Sequence, residues 1–165
     1  MASYFMTIMA WSCSIGVLSY VFCRIRKKGK NDTLYLTFFA MYIAAVGALT
    51  LFCGMRTFER RYNLIPFSGY FQAFERGDKR FFFQEIQNVL LFIPFGVFWG
   101  IREKKVPFVV LCGLIFSLLI ECIQIETFRG VFDVNDILWN TVGALLGVIY
   151  IKQFLKKIKK RKNKF

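Results

Sequence analysis

The chain contains no histidine among its 165 residues. This excludes acid/base catalysis by imidazole, phosphohistidine chemistry and histidine metal ligands. The sequence also has no CxxC pair, no glycine-rich phosphate loop, no serine nucleophile motif and no metal-ligand spacing. We therefore expect neither a metal ion nor a cofactor, and candidate functional groups must come from carboxylates, amides and arginines.

Acidic residues are also scarce, because 10 Asp and Glu oppose 23 Lys and Arg, which gives a net charge of +13. A nucleic-acid-binding protein would carry such charge on one face of a soluble fold. Here the positive charges form short clusters between long apolar runs. This distribution favours attraction to anionic membrane lipid, and we expect no nucleic-acid partner.

Apolar residues make up 56% of the chain, and 21 residues are phenylalanine. Such a composition is typical of an integral membrane protein, and the length suggests a single domain. The odd number of cysteines, all within or beside apolar runs, favours small buried apolar residues over disulfides. These cysteines are Cys13, Cys23, Cys53, Cys112 and Cys122.

Five apolar runs predict an all-α membrane domain covering residues 1–165, with five transmembrane helices. The helices are predicted at about 4–23, 34–55, 83–101, 106–125 and 136–154, followed by a basic cytoplasmic tail at 155–165. No Lys or Arg precedes the first run, so we expect a retained helix and not a signal peptide. Pro94 lies near the middle of the third run and predicts a kink.

The distribution of positive charge predicts the orientation of these helices. An external N-terminus places sixteen of the 23 Lys and Arg residues, and the C-terminus, in the cytoplasm. The other side then carries eight of the 10 acidic residues. This arrangement follows the positive-inside rule. It also brings the 56–80 connection and the polar ends of helices three, four and five to the outer leaflet.

The connection at 56–80 is polar and rich in aromatic residues. Pro66 disfavours helix at the residue before it, which predicts a turn or a short re-entrant segment. Phe67, Tyr70, Phe71 and Phe74 then recur at helical spacing. They indicate either a short amphipathic helix in the membrane interface or an ordinary buried helix within the loop.

Glu121 lies inside apolar sequence and shares a helix face with Gln124. A carboxylate at membrane depth requires a cation, a proton or an aqueous cavity. The candidate cations on the same side are Arg56, Arg80 and Arg129. Acid/base chemistry, ligand binding and structural pairing are all compatible with this residue.

Asp136, Asn140 and Gly143 form one stripe on the fifth helix. Gly143 and Gly147 make a GxxxG motif, which predicts the close approach of another helix. Asp136 lies in the first turn, near the positive end of the helix dipole.

Two further polar positions are predicted to have structural roles. Either Asp133 or Asn135 is expected to cap the fifth helix. Asn88, in the third helix, is expected to form a hydrogen bond between helices.

These polar positions, in this order, resemble the VanZ-like family. The resemblance covers about residues 62–150. It is carried by Asn63-Leu-Ile-Pro-Phe, Asn88-Val-Leu-Leu-Phe-Ile-Pro-Phe-Gly96, Glu121-x-x-Gln124 and Arg129-Gly-Val-Phe-Asp133-Val-Asn-Asp136-x-x-x-Asn140-Thr-x-Gly143.

The resemblance implies a small multi-pass protein of the bacterial cell membrane. It also implies a link to resistance against the lipoglycopeptide teicoplanin without remodelling of the D-Ala-D-Ala target. The family supplies no catalytic residues. The positions that match its polar motif, and that we take as candidate ligand-binding residues, are Asn88, Glu121, Gln124, Arg129, Asp133, Asp136 and Asn140.

Three functions are compatible with these residues. The first is an outer-leaflet polar pocket that binds an amphiphile, either a membrane lipid, a lipid-linked envelope molecule or the lipoglycopeptide itself. The second is an intramembrane hydrolase or transferase acting on a lipid-linked cell-wall precursor, with Glu121 and Asp136 as the candidate catalytic pair. The third is an accessory subunit that uses the aromatic 56–80 segment as a partner surface.

Overall fold

The computed structural model describes residues 2–52, 58–103 and 105–162. Its elements, in chain order, are α1 (Ala2–Ile25), α2 (Lys30–Phe52), β1 (Tyr62–Asn63), α3 (Tyr70–Glu75), α4 (Lys79–Arg102), α5 (Val106–Glu126), β2 (Phe132–Asp133) and α6 (Val134–Lys162). All the helices except α3 are long and apolar enough to span a membrane. The predicted all-α fold with five membrane helices is therefore confirmed.

The membrane helices extend beyond the apolar runs that predicted them, as α2 and α6 show most clearly. Helix α2 begins at Lys30, before the apolar run itself. Helix α6 continues through the basic residues to Lys162, well beyond the predicted end at 154. Lysine and arginine are good helix formers, so the loss of apolar character does not end the helix. Residues 53–55 of the predicted second helix and residues 163–165 of the tail lie outside the described residues.

Helices α4 and α6 form the centre of the bundle and pack with their backbones close together. A Cβ atom on Gly143 would overlap the carbonyl oxygen of Val89, and one on Gly147 would overlap that of Ile93. Gly96 of α4 lies equally close to the backbone of α6. The contact predicted from the GxxxG motif is thus confirmed, and its partner is α4.

An aromatic core lies beside this contact. The Phe92 and Phe95 side chains are fully buried, and the rings of Phe95 and Phe116 stack with centroids 5.4 Å apart. Phe39 of α2 packs against Phe95 from the other side, with centroids 6.3 Å apart. These rings fix α2, α4 and α5 relative to one another through offset and tilted contacts.

Two tyrosines of α2 tie that helix to α4 on either side of Pro94. The Tyr42 hydroxyl donates a hydrogen bond to the Leu91 carbonyl, and the Tyr35 hydroxyl donates one to the Phe98 carbonyl, each 2.7 Å long. Pro94 itself lies within a single helix. Hydrogen bonds from neighbouring helices are one way in which proline is tolerated in membrane helices.

The connection between α2 and α4 contains one strand of a pair that the sequence did not predict. Strand β1 pairs in parallel with β2, and Tyr62 is in register with Phe132. Phe67 lies before α3, in a left-handed conformation with φ 59°, so the predicted helix begins only at Tyr70. Phe71 and Phe74 are mostly exposed, which excludes burial of this helix face inside the protein. Its placement in the membrane interface stays a prediction.

The predicted burial of the cysteines is wrong in part. Cys23 is buried and Cys112 is half-buried, but Cys13 and Cys122 are exposed on the surfaces of α1 and α5. An exposed position on a membrane-spanning helix faces lipid, where a small apolar side chain is equally suited. Cys53 lies outside the described residues.

The end of the bundle that holds the α1–α2 and α4–α5 connections is joined by one ion pair and one hydrogen bond. Arg102 of α4 pairs with Asp32 of α2, and the Lys152 ammonium donates a hydrogen bond to the Glu103 carbonyl. The opposite end of the bundle holds the predicted polar site.

Candidate functional site

A cavity of about 880 Å³ opens at this opposite end. It lies among the last turn of α2, the first turns of α4 and α6, and the end of α5 with the segment that follows it. Its lining is Leu49, Thr50, Lys79, Arg80, Phe83, Gln84, Gln87, Asn88, Leu91, Gln124, Arg129, Gly130, Val131, Asp133 and Asp136. The antiparallel arrangement of the helices thus brings together polar residues that are far apart in sequence.

Five of the seven candidate residues line this cavity: Asn88, Gln124, Arg129, Asp133 and Asp136. The other two, Glu121 and Asn140, are not among the lining residues. The structure therefore divides the predicted site into a cavity wall and a polar layer behind that wall. Ligand binding by any of the seven stays a prediction.

Glu121 belongs to the layer behind the wall. Its side chain is 2% exposed, and its carboxylate accepts a hydrogen bond of 3.0 Å from the backbone N–H of Asp133. Of its predicted cationic partners, Arg80 and Arg129 line the cavity, whereas Arg56 lies outside the described residues. The observed contact instead fixes the chain segment that leads into α6.

Asp133 organises the start of α6. One carboxylate oxygen accepts the backbone N–H of Asn135 at 2.8 Å, which is the N-cap interaction, so capping by Asp133 is confirmed. The other oxygen accepts the amide of Asn63 at 3.0 Å. Because Asn63 belongs to β1 and Asp133 to β2, one residue links the helix start to the strand pair.

Asn135 supports the same corner from inside the protein. Its side chain is 1% exposed, and its Oδ1 atom accepts the backbone N–H of Phe67 at 2.7 Å. This bond satisfies a donor in the left-handed turn before α3. The sequence suggested Asn135 only as an alternative cap, and no periodic pattern links it to the distant Phe67.

Asp136 lies in the first turn of α6 and forms part of the cavity wall. Its carboxylate accepts a hydrogen bond of 2.6 Å from the side-chain amide of Asn88. The predicted hydrogen bond between helices at Asn88 is thus confirmed, with Asp136 as the acceptor. The carboxyl groups of Asp133 and Glu85 are close enough to interact electrostatically with Asp136.

Asn140 lies one turn further along α6 and is 4% exposed. Its amide nitrogen donates a hydrogen bond of 2.8 Å to the Ser117 hydroxyl of α5, which is itself fully buried. The Asn140 Oδ1 atom is buried without a hydrogen-bond partner among the described residues. Asn140 therefore joins α5 to α6 below the cavity and does not form its wall.

Gln124 and Arg129 form the wall contributed by the end of α5. The Gln124 side-chain amide donates a hydrogen bond of 3.1 Å to the Thr50 carbonyl, which closes α5 against α2. The backbone N–H of Arg129 donates a hydrogen bond of 2.9 Å to the Gln124 carbonyl. This bond follows the helix end at Thr127 and turns the chain back towards β2.

The sequence predictions did not assign site roles to Lys79, Gln84 and Gln87, and they considered Arg80 only as a partner for Glu121. All four line the cavity from α4. Residues 80, 84, 87, 88 and 91 follow a spacing of three or four, so they share one helix face. That spacing was visible in the sequence, and it would have placed Arg80 and both glutamines beside Asn88.

A hydrogen bond between two aromatic side chains joins α3 to α6. The indole N–H of Trp139 donates a hydrogen bond of 2.5 Å to the Tyr70 hydroxyl. Burial raises the pKa of Tyr70 to about 12, and the nearby carboxyl groups of Glu85 and Asp133 act in the same direction. Tyr70 is therefore a neutral hydrogen-bonding group that fixes α3 against α6.

The arrangement favours binding of a polar group over metal chemistry. Within residues 2–52, 58–103 and 105–162, no three His, Cys, Asp or Glu side chains are placed to hold a metal ion together. Amides, cations and two carboxylates line the cavity. The candidate catalytic pair is not presented jointly, because Asp136 lines the cavity and Glu121 lies behind it.

Comparisons with known proteins agree with this architecture. The VanZ/LLP1 family model matches residues 33–156. Protein VanZ of Enterococcus faecium is 35% identical over 92 residues, which cover 54% of this chain and 52% of that protein. The matched region thus spans about half the length of this relative. No solved structure is significantly similar to the chain.

The family match covers most of the chain, including four of the five membrane-spanning helices and every residue that lines the cavity. The match and the five helices together identify a multi-pass protein of the bacterial cell membrane. The chain belongs to the VanZ/LLP1 family.

Proposed function

We propose that this protein lowers bacterial sensitivity to lipoglycopeptide antibiotics such as teicoplanin. It does so by binding an amphiphile, a membrane lipid or a lipid-linked envelope molecule, in the cavity at the outer leaflet. The link to teicoplanin rests on the VanZ resemblance, and the binding role rests on the cavity.

The composition of the cavity wall is the observation that carries this proposal. Amides and charged groups line the cavity together with Leu49, Phe83 and Val131. These three apolar side chains are 37–60% exposed. They therefore form an apolar surface that extends from the polar cavity to the outside of the bundle. A polar head group with an attached hydrocarbon chain matches such a surface.

The outer-leaflet position follows from the proposed orientation. Lys and Arg residues concentrate at the end of the bundle away from the cavity, which the positive-inside rule assigns to the cytoplasm.

Phe58 is fully exposed at the cavity end. In a variant without native cysteines, Phe58→Cys should react with a membrane-impermeant maleimide in intact cells, and Lys162→Cys should react only after lysis. The opposite pattern would contradict this orientation.

The resistance phenotype tests the function. Asp136→Ala removes a carboxylate from the cavity wall and the acceptor of Asn88, so it should return the teicoplanin inhibitory concentration to that of cells without the protein. Glu75→Gln is the matched control, because Glu75 is exposed at the end of α3 and does not line the cavity. Both variants must reach the membrane in equal amounts. Full resistance with Asp136→Ala would contradict the proposal.

The alternative function is an intramembrane hydrolase or transferase acting on a lipid-linked cell-wall precursor. The hydrogen bond from Asn88 holds the Asp136 carboxylate in the wall, where it can meet a substrate. Glu121→Gln separates the two functions, because glutamine keeps the hydrogen-bond acceptor but has no acid/base capacity. Retained resistance with this variant supports binding. Lost resistance, together with turnover of lipid-linked precursors by the purified wild type, supports the enzyme.

A further inference from the structure

The charges around the cavity differ in whether they already have partners. Both oxygens of Asp133 accept hydrogen bonds, one from Asn135 and one from Asn63. Asp136 accepts the amide of Asn88. The carboxylates of the wall thus already accept hydrogen bonds from groups of the protein itself.

The two cations at the start of α4 differ from these hydrogen-bonded carboxylates. Lys79 and Arg80 are exposed and line the cavity, and neither side chain pairs with a carboxylate in the described part of the chain. The neighbouring carboxylate, Asp78, caps α4 instead, by accepting the backbone N–H groups of Arg80 and Phe81 at 3.0 and 3.3 Å. Lys79 and Arg80 are therefore available to pair with an anionic ligand.

The same face of α4 adds hydrogen-bond donors below these cations. Gln84 and Gln87 line the cavity one and two turns after Arg80, and both are exposed to it. Guanidinium, ammonium and amide groups together match the oxygens of a phosphate group.

We propose that the cavity takes the phosphate-bearing head group of a lipid, held by Lys79 and Arg80. The lipid chain leaves past the exposed apolar side chains of Leu49 and Phe83. This inference rests on the proposed function, because it names the chemical class of the amphiphile. The phosphate is the recognised group, and the hydrocarbon chain distinguishes a lipid from free phosphate.

Calorimetric titration of the purified full-length protein in an uncharged maltoside detergent tests the inference. The probes are short-chain phosphatidic acid, diacylglycerol with the same chains, and inorganic phosphate. We expect phosphatidic acid to bind at least tenfold more tightly than either other probe. Equal affinity for diacylglycerol would overturn the role of the phosphate, and equal affinity for inorganic phosphate would overturn the role of the lipid chain.

A pair of double variants locates the binding site. Lys79→Gln/Arg80→Gln should weaken phosphatidic acid binding by about tenfold or more, which corresponds to ~1.4 kcal/mol. Arg61→Gln/Arg76→Gln removes the same charge from exposed residues at the same end of the bundle that do not line the cavity. This control should change the affinity less than twofold. Equal losses in both double variants would overturn the site, because they would indicate unspecific attraction.

Failure of this inference and failure of the proposed function give different results. Absent phosphatidic acid binding, with resistance still lost in Asp136→Ala, overturns the phosphate and leaves the function in place. Specific phosphatidic acid binding, with full resistance in Asp136→Ala, supports the phosphate site and contradicts the resistance function. Equal melting temperatures of the double variants exclude misfolding as the cause of lost binding.

Discussion

The side-chain amide of Asn88 donates a hydrogen bond of 2.6 Å to the carboxylate of Asp136. The two residues lie 48 positions apart, on the two helices that pack most closely in the bundle. The bond fixes an acidic group in the cavity wall and joins α4 to α6 at the same point. Hydrogen bonds to charged groups contribute about 1.5–3 kcal/mol to stability, more than neutral ones.

Replacing Asn88 should therefore destabilise the protein measurably. Asn88→Ala leaves the Asp136 carboxylate without this donor, and we expect a loss of about 1–3 kcal/mol in the free energy of unfolding in detergent. Gln84→Ala is the control, since Gln84 lies one turn earlier on the same face and is exposed. The double variant Asn88→Ala/Asp136→Ala should lose less than the sum of the single losses. Additive losses would show that the two side chains do not interact.

Glu121 should tolerate glutamine but not leucine. The N–H of Asp133 needs an acceptor, which glutamine still supplies and leucine does not. An unsatisfied N–H costs about 1–3 kcal/mol, so Glu121→Leu should lower the melting temperature much more than Glu121→Gln. Equal melting temperatures for the two variants would mean that this hydrogen bond does not support the segment before α6.

A single methyl group at Gly143 should disrupt the central helix pair. Gly143→Ala places a Cβ atom on the carbonyl oxygen of Val89, and backbone atoms cannot move aside as a side chain does. We expect a strong loss of folded protein, measured as the monodisperse fraction in size-exclusion chromatography. Gly47→Ala is the matched control, because no atom lies within 4 Å of a Cβ at Gly47. Alanine there should be neutral or stabilising by up to about 1 kcal/mol.

Tyr70 should stay protonated well above the usual pH range of tyrosine. Burial raises its pKa to about 12 from an ordinary value of 10.0. The difference in tyrosinate absorbance between the wild type and Tyr70→Phe should therefore show a midpoint near pH 12 in the folded protein and near pH 10 after denaturation. Because the folded pKa is the higher one, the stabilising contribution is complete below pH 10 and is lost as the pH rises through 12. Identical midpoints in both states would contradict the burial of the Tyr70 hydroxyl in the folded protein.

Much of the fold was predictable because lipid imposes a simple length rule on apolar helices. The contact at Gly143 and Gly147 was predictable for a similar reason, since small residues four apart allow helices to approach closely. The ends of α2 and α6 were not, because their polar residues remain helical outside the apolar runs. The β1–β2 pair was not predictable either, because two residues in each strand carry no periodic pattern.

The location of the site was predictable from the sequence. Its division into residues that line the cavity and residues that lie behind the wall was not. Antiparallel helices bring their polar ends to one side, so Asn88, Gln124 and Asp136 were expected to meet. The role of Glu121 depends on where the chain folds back after α5, which places the N–H of Asp133 against its carboxylate. Helix periodicity cannot report that path. The same periodicity would have placed Arg80 beside Asn88 on one face of α4, had the helix been predicted to begin at Lys79. That face supplies the proposed phosphate contact.

The strand pair also determines when the cavity is completed during synthesis. Asn63 bonds to Asp133, a residue made 70 positions later. At roughly 5–20 residues per second, the ribosome takes roughly 4–14 s to produce that partner. During this interval α4 and α5 are made while the aromatic segment before them still lacks Asp133, Asn135 and Trp139. Helix α6 therefore completes the site, because it supplies Asp136 to the wall and Asn135 and Trp139 to the aromatic segment.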